Sequence, residues 1–203
     1  MPKQTFFNLE REKKEVLIQA AMKEFSRVPL FEASISNIIK DAGIPRGSFY
    51  QYFEDKEDIF FYLLSDHTKR DNEKLISILK ENDGDLFAAY FELYQYLLKK
   101  FQNLENRNFF RNAFLNMNYK VENTLTRNMN EDDHKSRLSE IMILINTEKL
   151  NITDEREIFH VMKIITAVTF HNLIQNFAKE LPFDESVKSY ALELSLLKKG
   201  LYK

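Results

Sequence analysis

Cysteine and tryptophan are missing from the 203 residues, and glycine and proline occur only four times each. Without cysteine, disulfide scaffolds, thiolate zinc sites and cysteine nucleophiles are excluded together. Proline is absent between Pro45 and Pro182, so nothing in that long stretch forces a helix to break. A β-rich domain would need turn residues at short, regular intervals, which this composition does not supply. Long hydrophobic runs are lacking too. Lys3, Glu10, Arg11, Glu12, Lys13 and Lys14 crowd the first residues, and no later stretch approaches the length of a membrane span. A soluble, cytoplasmic protein with no membrane association is expected. An excess of positive charge is also absent, 29 Lys and Arg facing 31 Asp and Glu. A nucleic-acid partner would therefore have to be recognised by a local arrangement of donors. Hydrophobic residues make up 44% of the chain, enough to bury a core and to exclude general disorder.

What the chain does have is helical periodicity. Leu9, Val16, Leu17, Ala20, Ala21, Phe25 and Val28 recur at three- and four-residue steps, predicting a helix over 9–28 that Pro29 ends. Ser34 can cap a second helix carrying Ile35, Ile38, Ile39 and Ala42 on one side, with Gly43 as its stop. Pro45 suits the first turn of a short third helix that reaches Phe53. Asp55 and Asp58 form an acidic version of a helix-start box before a long helix over 56–82. Further helices are predicted over 85–103, 107–118, within 120–149, and over 154–180 and 184–201. The asparagine-rich stretch 116–130 is the poorest helix former among these, because asparagine competes by bonding its own backbone. The fold class is all-α, with a three-helix domain over 1–54 and a helical domain over 55–203.

Two short helices joined across Ala42-Gly43-Ile44-Pro45 have the size and punctuation of a helix-turn-helix, whose second helix projects into the DNA major groove. Ile35, Ile38, Ile39, Ile44, Phe49 and Phe53 would form the small apolar cluster that holds it. Arg46, Ser48, Tyr50, Gln51 and Tyr52 are then left to point elsewhere, and Arg and Gln can read guanine and adenine edges. Gly47 lacks a Cβ, so a phosphate can approach the backbone there. Lys56 is placed for a phosphate rather than a base. The same run, Ser-Phe-Tyr-Gln-Tyr-Phe, also suits an ordinary aromatic packing helix.

The segment from Ile35 to Ile59, preceded by Ala20-Ala-Met-Lys-Glu-Phe25, resembles the N-terminal domain of the TetR family of transcriptional repressors, most closely at Ala42-Gly43, Gly47-Ser48, Tyr50-x-Tyr52-Phe53 and Lys56. The resemblance covers about residues 10–64. It implies an N-terminal helix-turn-helix DNA-binding domain followed by a helical ligand-binding and dimerisation domain. It further implies that Ser34, Tyr50, Tyr52 and Lys56 contact phosphate, and that Arg46, Gly47 and Ser48 lie where the helix meets the groove. Three positions depart from the family pattern: Pro45 replaces a common serine, Gln51 stands where a basic residue is frequent, and the glycine usual near position 29 is missing. These departures bear on which operator is preferred.

In the last helix Val187, Tyr190, Leu194, Leu197 and Leu201 keep the a/d spacing of a helix seam. The preceding helix, with Val161 and Val168, is apolar on more than one face. The resemblance implies that these two helices form a two-fold four-helix dimer interface; burial of both faces within one subunit is the alternative. A homodimer would read a near-palindromic double-stranded operator as two half-sites. Phe87, Tyr90, Phe91, Tyr94, Phe110, Phe114, Met117 and Phe170 are candidates to line a pocket for a small apolar or aromatic effector, or else are simply core. Glu157, His160 and His171 raise a metal site, but ordinary hydrogen-bonded histidines are the expectation, and no metal, cofactor or catalytic residue is predicted. No phosphate-binding glycine loop or Gly-x-Ser-x-Gly motif is present, so an enzyme is not expected. The reading is a DNA-binding regulator, with a repressor implied by the resemblance. The alternative is a helical ligand-carrying or partner-binding dimer without DNA affinity.

Overall fold

The computed structural model describes residues 1–126, 140–154 and 156–201. Its helices are α1 (Gln4–Phe7), α2 (Arg11–Arg27), α3 (Ile35–Ala42), α4 (Arg46–Tyr52), α5 (Lys56–Glu81), α6 (Leu86–Lys100), α7 (Leu104–Leu115), α8 (Tyr119–Thr126), α9 (Arg156–Lys179) and α10 (Phe183–Leu201). Residues 140–144 are also helical and lead into a 3-10 turn, Thr147–Lys149. Among the described residues there is no β-strand. Within the stretch 120–149, where a helix is predicted, helical residues are described at 120–126 and 140–144, and residues 127–139 lie outside the described residues.

Short polar side chains set the helix starts. Asp55 Oδ1 accepts from the Asp58 N–H at 2.9 Å, and Asp58 Oδ2 accepts from the Glu54 N–H at 3.0 Å, so the acidic box ahead of α5 is formed. Asp85 caps α6 at the Ala88 N–H, Asn103 caps α7 at Asn106, and Asn118 caps α8 at Val121, each at 3.0 Å. Each such cap contributes about 1 kcal/mol. Asn103 also explains why α7 starts ahead of the predicted residue 107. Two asparagines that weaken a helix interior act here at helix starts, where their local bonding is an advantage. α3 ends in a complete left-handed cap: Gly43 has φ +65°, its N–H donates to Lys40 O at 3.3 Å, and the Ile44 N–H donates to Ile39 O at 3.1 Å.

Two compact units divide the chain, residues 1–68 with 101–125, and residues 69–100 with 126–203. The division differs from the boundary expected at residue 54, and the first unit shows why. Phe25 meets Phe60 with ring centroids 5.2 Å apart, and Phe60 meets Phe109 at 5.5 Å. Asn112 Nδ2 donates to Phe25 O at 3.0 Å, satisfying a carbonyl in the last turn of α2. These contacts tie α7 to α2 and to the start of α5.

In the second unit α6 and α9 both pack on α10. The Tyr94 and Tyr190 ring centroids lie 4.1 Å apart, and the Tyr190 hydroxyl shares a hydrogen bond with Thr169 at 2.7 Å. Tyr90 bonds Thr166 at 2.8 Å, Asn172 Nδ2 donates to Glu193 at 2.6 Å, and Asn176 Nδ2 donates to Ser186 Oγ at 2.7 Å. One side of α9 therefore carries a ladder of satisfied polar groups. Burial pushes the Tyr94 phenol up to about 12, against an opposing pull from Ser186. Gly84, at φ +72°, lets the chain pass close to residues 144–146: a Cβ there would sit 2.3 Å from Leu144 O.

Candidate nucleic-acid interface

α4 has seven residues, too few to be stable alone, so its position depends on what it packs against. Phe49 and Phe53, one helical turn apart, are fully buried. Their burial leaves Arg46, Gly47, Tyr50 and Gln51 exposed, with Ser48 and Tyr52 half-buried beside them. Of the expected anchoring cluster Ile38 is fully buried as well, while Ile35, Ile39 and Ile44 are half-buried. The Arg46 guanidinium lies 5.7 Å from the Tyr50 ring centroid and donates to the Tyr50 hydroxyl at 3.3 Å. A second donation reaches Ser36 Oγ at 3.5 Å, so Arg46 lies along the surface joining α3 to α4. Stacking on Tyr50 limits the rotamers that a free arginine would lose on binding.

The start of α3 is held by a residue that sequence reasoning did not single out. Ser34 makes no side-chain cap. Its backbone N–H instead donates to Glu24 Oε1 at 2.8 Å, and Asn37 Nδ2 reaches the same oxygen at 3.1 Å. Arg27 grips the carboxylate through Nε at 3.0 Å and Nη2 at 2.8 Å. Glu24 is only 5% exposed. Burial by itself would push its carboxyl up, but the bonds from Arg27, Ser34 and Asn37 together hold it below the ordinary value. The half-buried Ser34 hydroxyl is thereby left uncommitted to its own helix.

Lys56 stands at the first position of α5, and its ammonium donates to Phe31 O at 2.8 Å and Ala33 O at 2.9 Å. The side chain thus ties down the loop that leads into α3. α1, which periodicity could not reveal at four residues long, lies against the other end of α4. Phe6 is buried against Phe53 and Tyr62, with centroids 4.8 and 5.1 Å away. The adjacent pair Phe6-Phe7 ahead of the first long helix was the available signal.

The remaining expected residues fall in both units. Phe87, Tyr90 and Tyr94 are buried in the second unit, where Phe91 and Phe170 are half-buried. Phe110 and Phe114 are buried in the first unit, with Met117 half-buried there. Phe110 packs on Phe101, 5.0 Å between centroids, and stacks with Phe114 at 6.0 Å. The expected pocket residues are thus divided between two units. Val161, Tyr190 and Leu194 of the expected seam are buried within the second unit, Tyr190 by Tyr94 and Thr169. Val168, Val187, Leu197 and Leu201 are half-buried. The exposed large apolar side chains of α9 and α10 are instead Ile164, Leu192 and Leu196. Glu157 Oε2 accepts from the Thr153 N–H at 2.6 Å as part of the entry to α9. A second Glu-x-x-His step in the sequence, Glu131 to His134, lies outside the described residues. Among the described residues no helix is long and apolar enough to cross a membrane.

Known proteins are similar to this chain in sequence and in fold. Residues 17–63 match the model of the tetR family of bacterial regulatory proteins, and residues 85–201 match that of the tetracyclin repressor-like C-terminal domain. The HTH-type transcriptional regulator YdgC of Bacillus subtilis is 41% identical over 71 residues, 35% of this chain and 36% of its own length. The HTH-type transcriptional repressor NemR of Escherichia coli K12 is 31% identical over 67 residues, 33% of this chain and 34% of its own. These matches thus span about a third of either relative. Among solved structures, SmeT, the repressor of the Stenotrophomonas maltophilia multidrug efflux pump SmeDEF, is similar with a TM-score of 0.68 at 14% identity, covering 98% of this chain and 93% of its own. Reduced E. coli NemR gives a TM-score of 0.63 at 17% identity, covering 94% and 98%. With both halves matched by family models and the helix-turn-helix formed, the chain belongs to the TetR family of bacterial regulatory proteins.

Proposed function

We propose that the chain is a homodimeric, sequence-specific DNA-binding repressor released by a small apolar or aromatic molecule. The observation that carries the DNA reading is α4: Phe49 and Phe53 anchor one side, and Arg46, Gly47, Tyr50 and Gln51 line the other. Arg46 and Gln51 supply donors that can read base edges, Ser48 stands beside them, and Gly47 leaves room for a phosphate. Ser34, Tyr52 and Lys56 flank that row as backbone contacts. With a net charge of -2, affinity rests on this local row of donors rather than on bulk attraction.

A mobility shift on the DNA upstream of the chain's own reading frame, at low and moderate salt, tests the reading. A salt-weakened, sequence-selective complex is expected, and Arg46→Ala should lower discrimination at one base position by about tenfold or more. Equal binding to every duplex, or to none, overturns it and favours a helical ligand-carrying dimer.

The effector reading draws support from the aromatic side chains of α6, Phe87, Tyr90, Phe91 and Tyr94, with Phe170 of α9 in the same unit. Titration of the DNA complex with lipophilic and polar compounds tests it, and release by polar or cationic compounds alone overturns it. The dimer reading draws support from Ile164, Leu192 and Leu196, apolar and exposed on the last two helices. By linkage, an effector that favours a dimer with misplaced α4 helices weakens DNA binding by the factor that DNA weakens the effector.

A further inference from the structure

The carbonyls of the last turn of a helix have no partners within it, and in a helix of seven residues they are a large share of the backbone. In α4 all three last carbonyls are taken up by the chain's own amino-terminal segment. The Lys3 ammonium donates to Tyr50 O at 2.8 Å, Thr5 Oγ1 donates to Gln51 O, and the Lys3 N–H donates to Tyr52 O at 2.8 Å. Phe6, 1% exposed, wedges the segment between Phe53 and Tyr62. We propose that residues 3–6 are a positioning arm for the recognition helix: they close its carboxyl end and fix the angle at which Arg46, Tyr50 and Gln51 are presented. The proposal rests on the DNA-binding reading above.

The arm holds α4 from the end opposite to Pro45 and Ile44. A helix pinned at one end only can pivot or fray, and a displacement of about an ångström is enough to lose a bidentate base contact while leaving intact the phosphate contacts of Ser34 and Lys56, which lie outside α4. The arm therefore governs discrimination between sequences more than overall affinity. Thr5 is the sharpest probe, because its hydroxyl is exposed chemistry on a residue with no charge, and its loss cannot alter counterion release.

The test uses the full chain with Thr5→Val, and Lys3→Met as a second variant that keeps the backbone donation to Tyr52. Hydrogen exchange of the amides of residues 50–53 is measured without DNA, and binding to the DNA upstream of the chain's own reading frame and to unrelated duplex is measured across salt. The expected result for Thr5→Val is faster exchange in residues 50–53 and a fall of about fivefold in the ratio of specific to non-specific affinity, with an unchanged salt slope. Lys3→Met should lower the same ratio. Unchanged exchange in both variants, or faster exchange with an unchanged ratio, overturns the arm's positioning role. A uniform loss on all sequences with a shallower salt slope in Lys3→Met, and no effect in Thr5→Val, also overturns it, making Lys3 a phosphate contact. Failure of the DNA reading shows itself separately, as a wild-type chain without sequence-selective binding.

Discussion

The Lys56 ammonium and the Ala33 carbonyl oxygen are 2.9 Å apart, which joins the first residue of α5 to the loop entering α3. A cation at the amino end of a helix is unfavourable towards the helix dipole, so the two carbonyl bonds must offset that cost. Lys56 therefore has a structural duty beside its proposed phosphate contact. Lys56→Met should lower stability by about 1 kcal/mol, weaken binding to all duplexes alike, and reduce the salt slope by about one. Urea unfolding and salt-dependent mobility shifts check the two parts, and full stability with full affinity would refute both.

Three glycines separate folding from binding. A Cβ at Gly47 meets nothing within 4 Å, so Gly47→Ala should raise or preserve stability, by up to about 1 kcal/mol, while lowering DNA affinity by crowding the proposed phosphate approach to that backbone. Gly43 also has open space but sits at φ +65°, so alanine there should cost about 1 kcal/mol. Gly84→Ala should be the most damaging, at about 3 kcal/mol or more, because the added methyl meets backbone at 2.3 and 2.6 Å. Thermal midpoints of the three variants should fall in that order.

Glu24 links pH to the integrity of α3. Its folded-state carboxyl lies below the ordinary value of 4.5 despite burial, so between the folded and unfolded values the unfolded chain binds more protons. The stabilisation is complete above about 4.5 and is lost as pH falls through the folded value. Glu24→Gln should therefore be less stable than wild type at neutral pH, by about 1–3 kcal/mol, and the gap should narrow below pH 4.5. Unfolding midpoints from neutral to acid pH measure it, and a gap independent of pH would show that the carboxylate charge is not the cause.

The long helices were legible because their apolar steps are long: α5, α9 and α10 start and end within a few residues of where periodicity puts them. The anchoring of α4 by Phe49 and Phe53 was legible for the same reason, since one turn fixes which side is inward. Contacts between distant segments were not. Glu24 reaches Ser34 from the preceding helix, and Asn112 reaches Phe25 across most of the first hundred residues, and no local pattern announces either. The seam in α10 shows a different limit. Its a/d spacing reports that a partner exists, but not that the partner of Tyr190 is Tyr94 of the same chain.

That ambiguity gives the proposed dimer a clean test. Leu192 and Leu196, 62% and 57% exposed, lie one turn apart on α10, whereas Tyr190 points into its own unit, where its hydroxyl meets Thr169. If the outward side is the dimer face, Leu192→Glu with Leu196→Glu places charge in the middle of an apolar contact and should yield a folded monomer, because a buried unpaired charge costs several kcal/mol. Tyr190→Phe should do the reverse, leaving the dimer intact while lowering stability by about 1 kcal/mol through loss of one buried hydrogen bond. Sedimentation equilibrium with thermal unfolding separates these outcomes. A dimer that survives both glutamates but dissociates in Tyr190→Phe would return the interface to the a/d seam. On the proposed reading, the monomeric double variant should also lose selective DNA binding, since a single α4 would contact one half-site alone.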